Sequence, residues 1–442
     1  MGKQKKTVAP PPEEAEGTPG TGEARELLDF PSPEQTSKHT LYRILTEPHT
    51  ITALLVTGGL LAWFALTHDY GPVGNTKVGV ASAAAVFLVF ALCEFPDGMF
   101  RRPHPLVWRV VTGLGVLYLL FLVFMLFQNL DSARRIVAFI DPALGRPLPE
   151  RSYAVDCRVY TPEHAESRFA NVRAAVHDEF FVAHFVGWFI KTLGIRDAVF
   201  ATCISSFFEV LELSLQHILP NFRECWWDHV VLDMLLCNAA GTLLATVVLR
   251  LLACKAYTIT GIAPHTLAGQ ARRLLGLFTP ESWTVFSWGM FSNWKRFLYV
   301  IAFFVLYEIE EVSIFFWKAL LWIPPPHPLV LLRSALFGLL SFPAIREYYQ
   351  FMIDPTVKVF GPNFWILAAL VVVEAMCSVK WTRGMPVPPT PFAVKWGWIV
   401  GISLVVVFFF TYFPLSALCK KRKAKARASK VSDDNKKKTN VA

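Results

Sequence analysis

The sequence predicts an all-α polytopic membrane protein with about ten transmembrane helices, and three observations predict it. Of the 442 residues 54% are hydrophobic and 17% charged, against about 25% charged in a typical soluble domain. The mean hydropathy is +0.41, where a soluble protein of this size lies near or below zero. The apolar residues also gather into runs close to the ~20 residues that a helix needs to cross hydrocarbon.

Taken in order, the runs begin near Ile51, Val78, Leu106, Phe180, Asp197, His229, Phe297, Pro328, Asn363 and Trp396. Each is roughly 16 to 26 residues long and is closed by Pro, Gly, Trp or charge. The fourth and fifth are the shortest, about 17 residues each, with their shared boundary at Gly194–Arg196. Residues 1–45 are rich in Pro, Glu, Gly and Thr and read as a disordered cytosolic tail without a cleavable signal, so the first span is expected to act as an uncleaved anchor. Residues 46–417 form the expected transmembrane domain. Within it lie a lumenal segment at about 129–179, a cytosolic loop at about 255–296 and, in "SARRIVAFI", an amphipathic helix on the membrane surface. Residues 418–442 form a basic cytosolic tail. The net charge of +9 sits mostly in the tails, where Lys runs serve as cytosolic anchors facing anionic lipid rather than as nucleic-acid contacts.

An even number of spans puts both Lys-rich ends on one side, and the positive-inside rule makes that side cytosolic. "FRRPHPLVWR", the Arg196 turn, "ARRLLGLF" and "IREYYQF" then face the cytosol, while "QHILPNFRECWW" faces the lumen. Of the eight Cys, only Cys157 and Cys225 fall in lumenal loops, and two free thiols are expected there. No CxxC pair suggests a zinc framework.

This topology brings polar residues from three spans to one depth. His184 lies about one turn in from the lumen on the fourth span. Glu209 and Glu212, at i and i+3, share a face in the lumenal half of the fifth. Asp228 marks the mouth of the sixth span, with Asp233 and Asn238 deeper, and Asn221 and Glu224 occupy the turn between. A carboxylate near a helix centre costs about 2.5–3.5 kcal/mol on insertion scales, so such residues normally face a pocket or an ion. On an ideal α-helix, residues five apart are rotated by about 140°, so Asp228, Asp233 and Asn238 are not expected on one face. Carboxylates and amide oxygens with one His suit a hard cation, Ca²⁺, Mg²⁺ or Mn²⁺, better than zinc. His217 and His229 read as interfacial residues, Trp226 and Trp227 as an aromatic belt, and Lys191 as a snorkelling cation. Glu311 and Glu374 are equally consistent with structure and function, and the "YEIEE" run with an interfacial turn. By residue content alone, an enzyme and a cation transporter are both open. The dry "AAGTLLATVVLRLL" beyond Asn238 argues against an ion path, and a membrane-bound acyltransferase would not need so many acids. The DxxDGxxAR signature of CDP-alcohol phosphotransferases is absent.

"HDEFFVAHFVGW", "FFEVLELSLQHILPNFRECWWDHVVLDMLLCN", "RRPHPLVWRV" and "LFTPESW" together resemble the eukaryotic base-exchange phosphatidylserine synthases over about residues 50–415. "DPALGRPLPERSY", "LVLLR" and "FMIDP" lean towards the phosphatidylserine synthase 2 branch. The resemblance implies about ten spans in the endoplasmic reticulum, enriched where it meets mitochondria, and a Ca²⁺-dependent exchange of a phospholipid head group for L-serine without ATP or CDP-lipid. It implies phosphatidylethanolamine ahead of phosphatidylcholine as donor and leaves room for a homodimer. It marks His184, Asp228 and Glu224 as catalytic, Glu209, Glu212, Asp233 and Asn238 as metal ligands, and Asn221, Arg102, Arg273 and Arg346 as substrate or feedback positions. Leu277, where relatives often carry Gln, puts product feedback in doubt, and "CNAAG" departs from the commoner "CNG".

Overall fold

The computed structural model describes residues 50–100, 103–148, 155–165, 167–177, 179–219, 222–253, 285–383 and 387–439. Helices α1 (Thr50–Thr67), α2 (Gly71–Glu94), α3 (Pro105–Leu126), α4 (Leu130–Ile140), α5 (Ala170–Val176), α6 (Glu179–Ile195) and α7 (Ala198–Leu215) come first. A π-helix over Asp228–Asn238 then continues into α8 (Ala239–Ala253). They are followed by α9 (Trp294–Leu321), α10 (Pro328–Ile353), α11 (Pro362–Thr382) and α12 (Phe392–Thr439). Seven described helices, with the π-helix and α8 taken as one, are long and apolar enough to cross a membrane. The apolar stretches of α1 and α6 are shorter, and α9 is long but interrupted by charge. Each of the ten expected spans falls on one of these helices.

Local signals set the helix ends. Pro at the first turn starts α3, α10 and α11, where its missing N–H costs nothing. Asp197 caps α7 by accepting from Phe200 N–H at 3.0 Å. The α6–α7 boundary lies where the sequence put it: Arg196 takes a left-handed φ of 56° and turns the chain between the two helices. The "SARRIVAFI" segment is α4, which buries Ala133 and Val137 against the end of α9. Its Arg134 donates to the Leu320 carbonyl and lies 3.5 Å over the Trp322 ring.

Two cores organise the bundle. One packs α3, α4, α9, α10 and α11 around Leu122, Leu340 and Leu370. The other packs α6, α7, α9 and α10 around Ile195, Ile204, Val300 and Ala344. Helices α1 and α12 instead expose long apolar stretches, Leu54 to Leu66 and Ile402 to Phe410, the pattern of helices that face lipid.

Several charged residues inside the bundle are paired, although both carboxylate oxygens of the buried Glu308 have no hydrogen-bond partner among the described residues. Lys191 meets Glu311 at 2.8 Å and so does more than snorkel. Arg333 pairs with Glu310 at 2.7 Å and Glu374 at 2.6 Å, and Tyr118 donates to Glu374 at 2.6 Å. The "YEIEE" run is a helical interior in α9, not an interfacial turn.

Candidate active site

The site begins with a close helix crossing. At Gly241, near the start of α8, an added Cβ would meet the Phe185 carbonyl at 2.5 Å. Only glycine lets α8 approach α6 this closely, in the small-residue manner of membrane helices. The crossing fixes α6 beside His184 and faces it towards the helix that carries Asp233 and Asn238. It is also where the "CNAAG" variation falls.

The sequence expectation for Asp228, Asp233 and Asn238 is corrected here. Residues 228–238 form a π-helix, in which each hydrogen bond reaches back five residues rather than four. Residues five apart therefore return close to one face, and Asp233 and Asn238 are both buried on it. Asp228 opens the helix at its first position. The widened helix does what an α-helix would not: it lines its polar side chains up against α6 and α7.

Two carboxylate–imidazole contacts organise the cluster. Asp233 Oδ1 lies 3.0 Å from His184 Nδ1, close but off the hydrogen-bond axis. His229 Nδ1 lies 3.0 Å from Glu209, 3.5 Å from Glu212 and 3.8 Å from Glu224. Asn238 Nδ2 donates to the other Glu209 oxygen at 3.3 Å. Two sets of possible ligand atoms, Glu209–Glu212–His229 and Glu224–His229–Asp233, each fall within 4.8 Å and share the same imidazole. Glu209, Glu212, His229, Asp233 and Asn238 are all buried.

His229 is the residue that sequence reading missed. It was expected at the interface, yet it is 5% exposed and central to the acids. The available signal was its i,i+4 spacing to Asp233, which puts the two on one helix face; its place at the mouth of the span concealed it. Trp227 is likewise not a belt residue: it is buried and donates to the Cys157 carbonyl at 3.1 Å, while Trp226 beside it is 66% exposed. The expectation of two free thiols is also overturned. Cys157 and Cys225 form a disulfide that ties the turn bearing Glu224 to the segment before α5. Asp156, next to that bridge, is held well below the usual carboxylate range by hydrogen bonds from the Arg158 side chain and backbone.

The remaining expected positions lie elsewhere. Asn221, Arg102, Arg273 and Leu277 fall outside the described residues. Arg346 lies on α10, 5.5 Å from the Phe100 ring and near Arg196. Arg196 ends α6 twelve residues after His184, about 18 Å along the helix, so the structure does not bring Arg346 to the acids.

The donor set fits a hard cation. Several carboxylates converge, and the Asn238 carbonyl oxygen is buried without a partner, which suits oxygen ligation. The His229 imidazole now occupies the centre of the carboxylates, so a bound ion would share or displace its place.

The comparisons with known proteins converge on one family. The family model described as phosphatidyl serine synthase matches residues 103–382. The chain is 39% identical to phosphatidylserine synthase 2 of Danio rerio over 391 residues, covering 87% of this chain and 86% of that protein. It is 38% identical to phosphatidylserine synthase 2 of Homo sapiens over 364 residues, 81% and 74% of the two chains. It is also 39% identical over 371 residues to a rice protein named CDP-diacylglycerol–serine O-phosphatidyltransferase 2, covering 82% and 88%. With matches of this extent from animals and plants alike, and with seven described helices able to cross a membrane, the chain belongs to the phosphatidylserine synthase family and is a multi-pass membrane enzyme.

Proposed function

We propose that the chain makes phosphatidylserine by calcium-dependent head-group exchange, replacing the ethanolamine, or choline, of a phospholipid with L-serine. The observation that carries this reading is the buried junction of α6, α7 and the π-helix, where two imidazoles meet Glu209, Glu212, Glu224 and Asp233. We place the site on the lumenal side of the endoplasmic reticulum, with both termini cytosolic. The Cys157–Cys225 bridge beside it supports this, because cytosolic thiols are kept reduced.

In the exchange a new bond forms between the serine hydroxyl oxygen and phosphorus, and the bond from phosphorus to the ethanolamine oxygen breaks. His184 takes the serine hydroxyl proton and returns it to the departing alkoxide, a role an imidazole fills near neutral pH. Asp233, 3.0 Å away, holds the His184 Nδ1 edge and stabilises the imidazolium formed in between. Asp228 and Glu224 at the mouth can receive the ammonium of the incoming and outgoing amino alcohol. Glu209, Glu212, Asp233 and Asn238 are the residues that would hold Ca²⁺. The ion supplies charge neutralisation at the phosphate oxygens. His229 keeps the acids of α7 and the turn together by facing three of them at once.

The second reading, a CDP-diacylglycerol donor, is favoured by the name of the rice relative. One experiment separates them: purified protein is given labelled L-serine with phosphatidylethanolamine, phosphatidylcholine or CDP-diacylglycerol, with and without a calcium chelator. Exchange predicts release of one ethanolamine per phosphatidylserine and loss of activity on chelation. Product from CDP-diacylglycerol alone overturns it.

A further inference from the structure

The acidic site must accept a phosphodiester, itself an anion, and the described structure provides few cations to receive it. Arg333 is fully engaged by Glu310 and Glu374, and Lys191 by Glu311. Arg223 is exposed on the turn and donates to the Gln216 carbonyl. Lys318, in the last turn of α9, differs from all of these. Among the described residues, no carboxylate comes within ion-pairing distance of its ammonium. The ammonium instead lies 4.1 Å from the centre of the Phe315 ring. Phe315 in turn packs on Phe222 of the site turn at 4.7 Å and on Phe208 of α7 at 5.9 Å, one residue before Glu209. Lys318 is thus anchored to the wall of the acid cluster and within electrostatic reach of Glu212.

A lysine at a helix C-terminus is often only a complement to the helix dipole with its head in water. Lys318 is partly buried and its ammonium folds back over an aromatic ring beside the site. An ammonium on a ring keeps its N–H donors for another partner, since the ring face offers attraction but takes no strong hydrogen bond. A compact cation with free donors at the edge of a carboxylate cluster is what a phosphate oxygen requires.

We propose that Lys318 is a phosphate-binding residue of this site, with the phosphodiester of the donor phospholipid as its ligand. The inference rests on the head-group-transfer reading. It divides the labour of the site: α7 and the π-helix hold the polar head group and the cation, while α9 holds the phosphate from the opposite wall.

The test is a split of kinetic constants on full-length protein in mixed micelles, with the donor lipid and serine varied separately. Lys318→Met should raise KM for the donor lipid by about 10-fold to 100-fold, the range for losing a charge-assisted hydrogen bond, and leave KM for serine unchanged. Lys318→Arg, which keeps the charge, should stay within a few-fold of the parent. A Lys318→Met protein with the parent KM for lipid overturns the proposal. If that variant is not monodisperse, Lys318→Gln is compared with Lys318→Arg, and equal lipid KM values overturn it. Failure of the exchange reading shows separately, as a parent enzyme that forms no phosphatidylserine from phosphatidylethanolamine.

Discussion

Replacing Asp233 by Asn is the sharpest probe of the site, because it removes one charge and little volume. The Asp233 Oδ1 to His184 Nδ1 distance is 3.0 Å, which puts the centres of charge about 4 Å apart. At an effective dielectric constant of 20, opposite charges at that separation attract by about 4 kcal/mol. The attraction exists only while His184 carries the proton, so it favours the transition state over the resting enzyme. Lost entirely, it slows the chemical step by about 1,000-fold, since each 1.36 kcal/mol is tenfold. Glu212 and Glu224 also act on His184 and retain part of the stabilisation, so the expected fall in kcat is about 100-fold to 1,000-fold. The assay is incorporation of labelled L-serine into lipid by purified protein, normalised to monodisperse enzyme. With Ca²⁺ held saturating, so that weaker ion binding is compensated, Asp233→Asn should leave KM for the donor lipid nearly unmoved, because the Asp233–His184 pair acts on the proton. A kcat within tenfold of the parent would refute the role given to His184.

Other consequences follow from the same structure. Cys157→Ser should destabilise the protein by up to about 4 kcal/mol, the loop-closure value for a separation of 68 residues. The effect should fall below that limit because α6 and α7, inside the loop, stay membrane-inserted, and Cys225→Ser added to it should cost nothing more in a thermal melt. Glu374→Ala strands the buried Arg333 guanidinium with Glu310 alone and should cost about 3–5 kcal/mol. Arg333→Met together with Glu310→Gln in the same chain should recover most of this, since it leaves neither charge unpaired, with activity per folded molecule unchanged. The depressed Asp156 carboxyl contributes stability that is present above the ordinary Asp value of about 4 and is lost as pH falls through its lower folded value. Hydrogen exchange of the segment around Thr161 should therefore be unaffected by this group between pH 5 and 8 and should accelerate only in stronger acid.

The spans were legible because the bilayer favours one length and one polarity in a crossing helix: all ten apolar runs became described helices, and seven of these are long and apolar enough to cross. The α6–α7 turn was legible too: two short runs meeting at Gly194–Arg196 leave room for little else. The disulfide was not, since two Cys that are 68 residues apart carry no distance information until the turn holding Cys225 is folded back on the segment before α5. The pairing of Lys191 with Glu311 and of Arg333 with Glu374 was hidden for the same reason. Each joins residues on different helices whose relative rotation no run length encodes. Glu311 and Glu374 consequently read as ambiguous, and the structure assigns both to pairs with a cation in the bundle.

The limit that mattered most was helical pitch. Asp228, Asp233 and Asn238 recur every five residues, a spacing that an α-helix scatters around its circumference and a π-helix gathers. Read with the α-helical period, the acids looked only partly convergent, and His229, at the mouth of the span, read as interfacial. Read with the wider period, the same spacing becomes a stripe facing α6 and α7, and His229 comes within 3.8 Å of three carboxylates. A π-helix forfeits good hydrogen-bond geometry and is rarely sustained without compensation. Here the compensation is visible in the contacts it makes: Asn238 reaches Glu209, and Gly241, just past its end, seats the chain on α6. The five-residue recurrence of polar side chains in an otherwise apolar span is therefore itself a signal. Polar residues in a membrane must find partners, and in the wider helix Asp233 meets His184 of α6 while Asn238 meets Glu209 of α7.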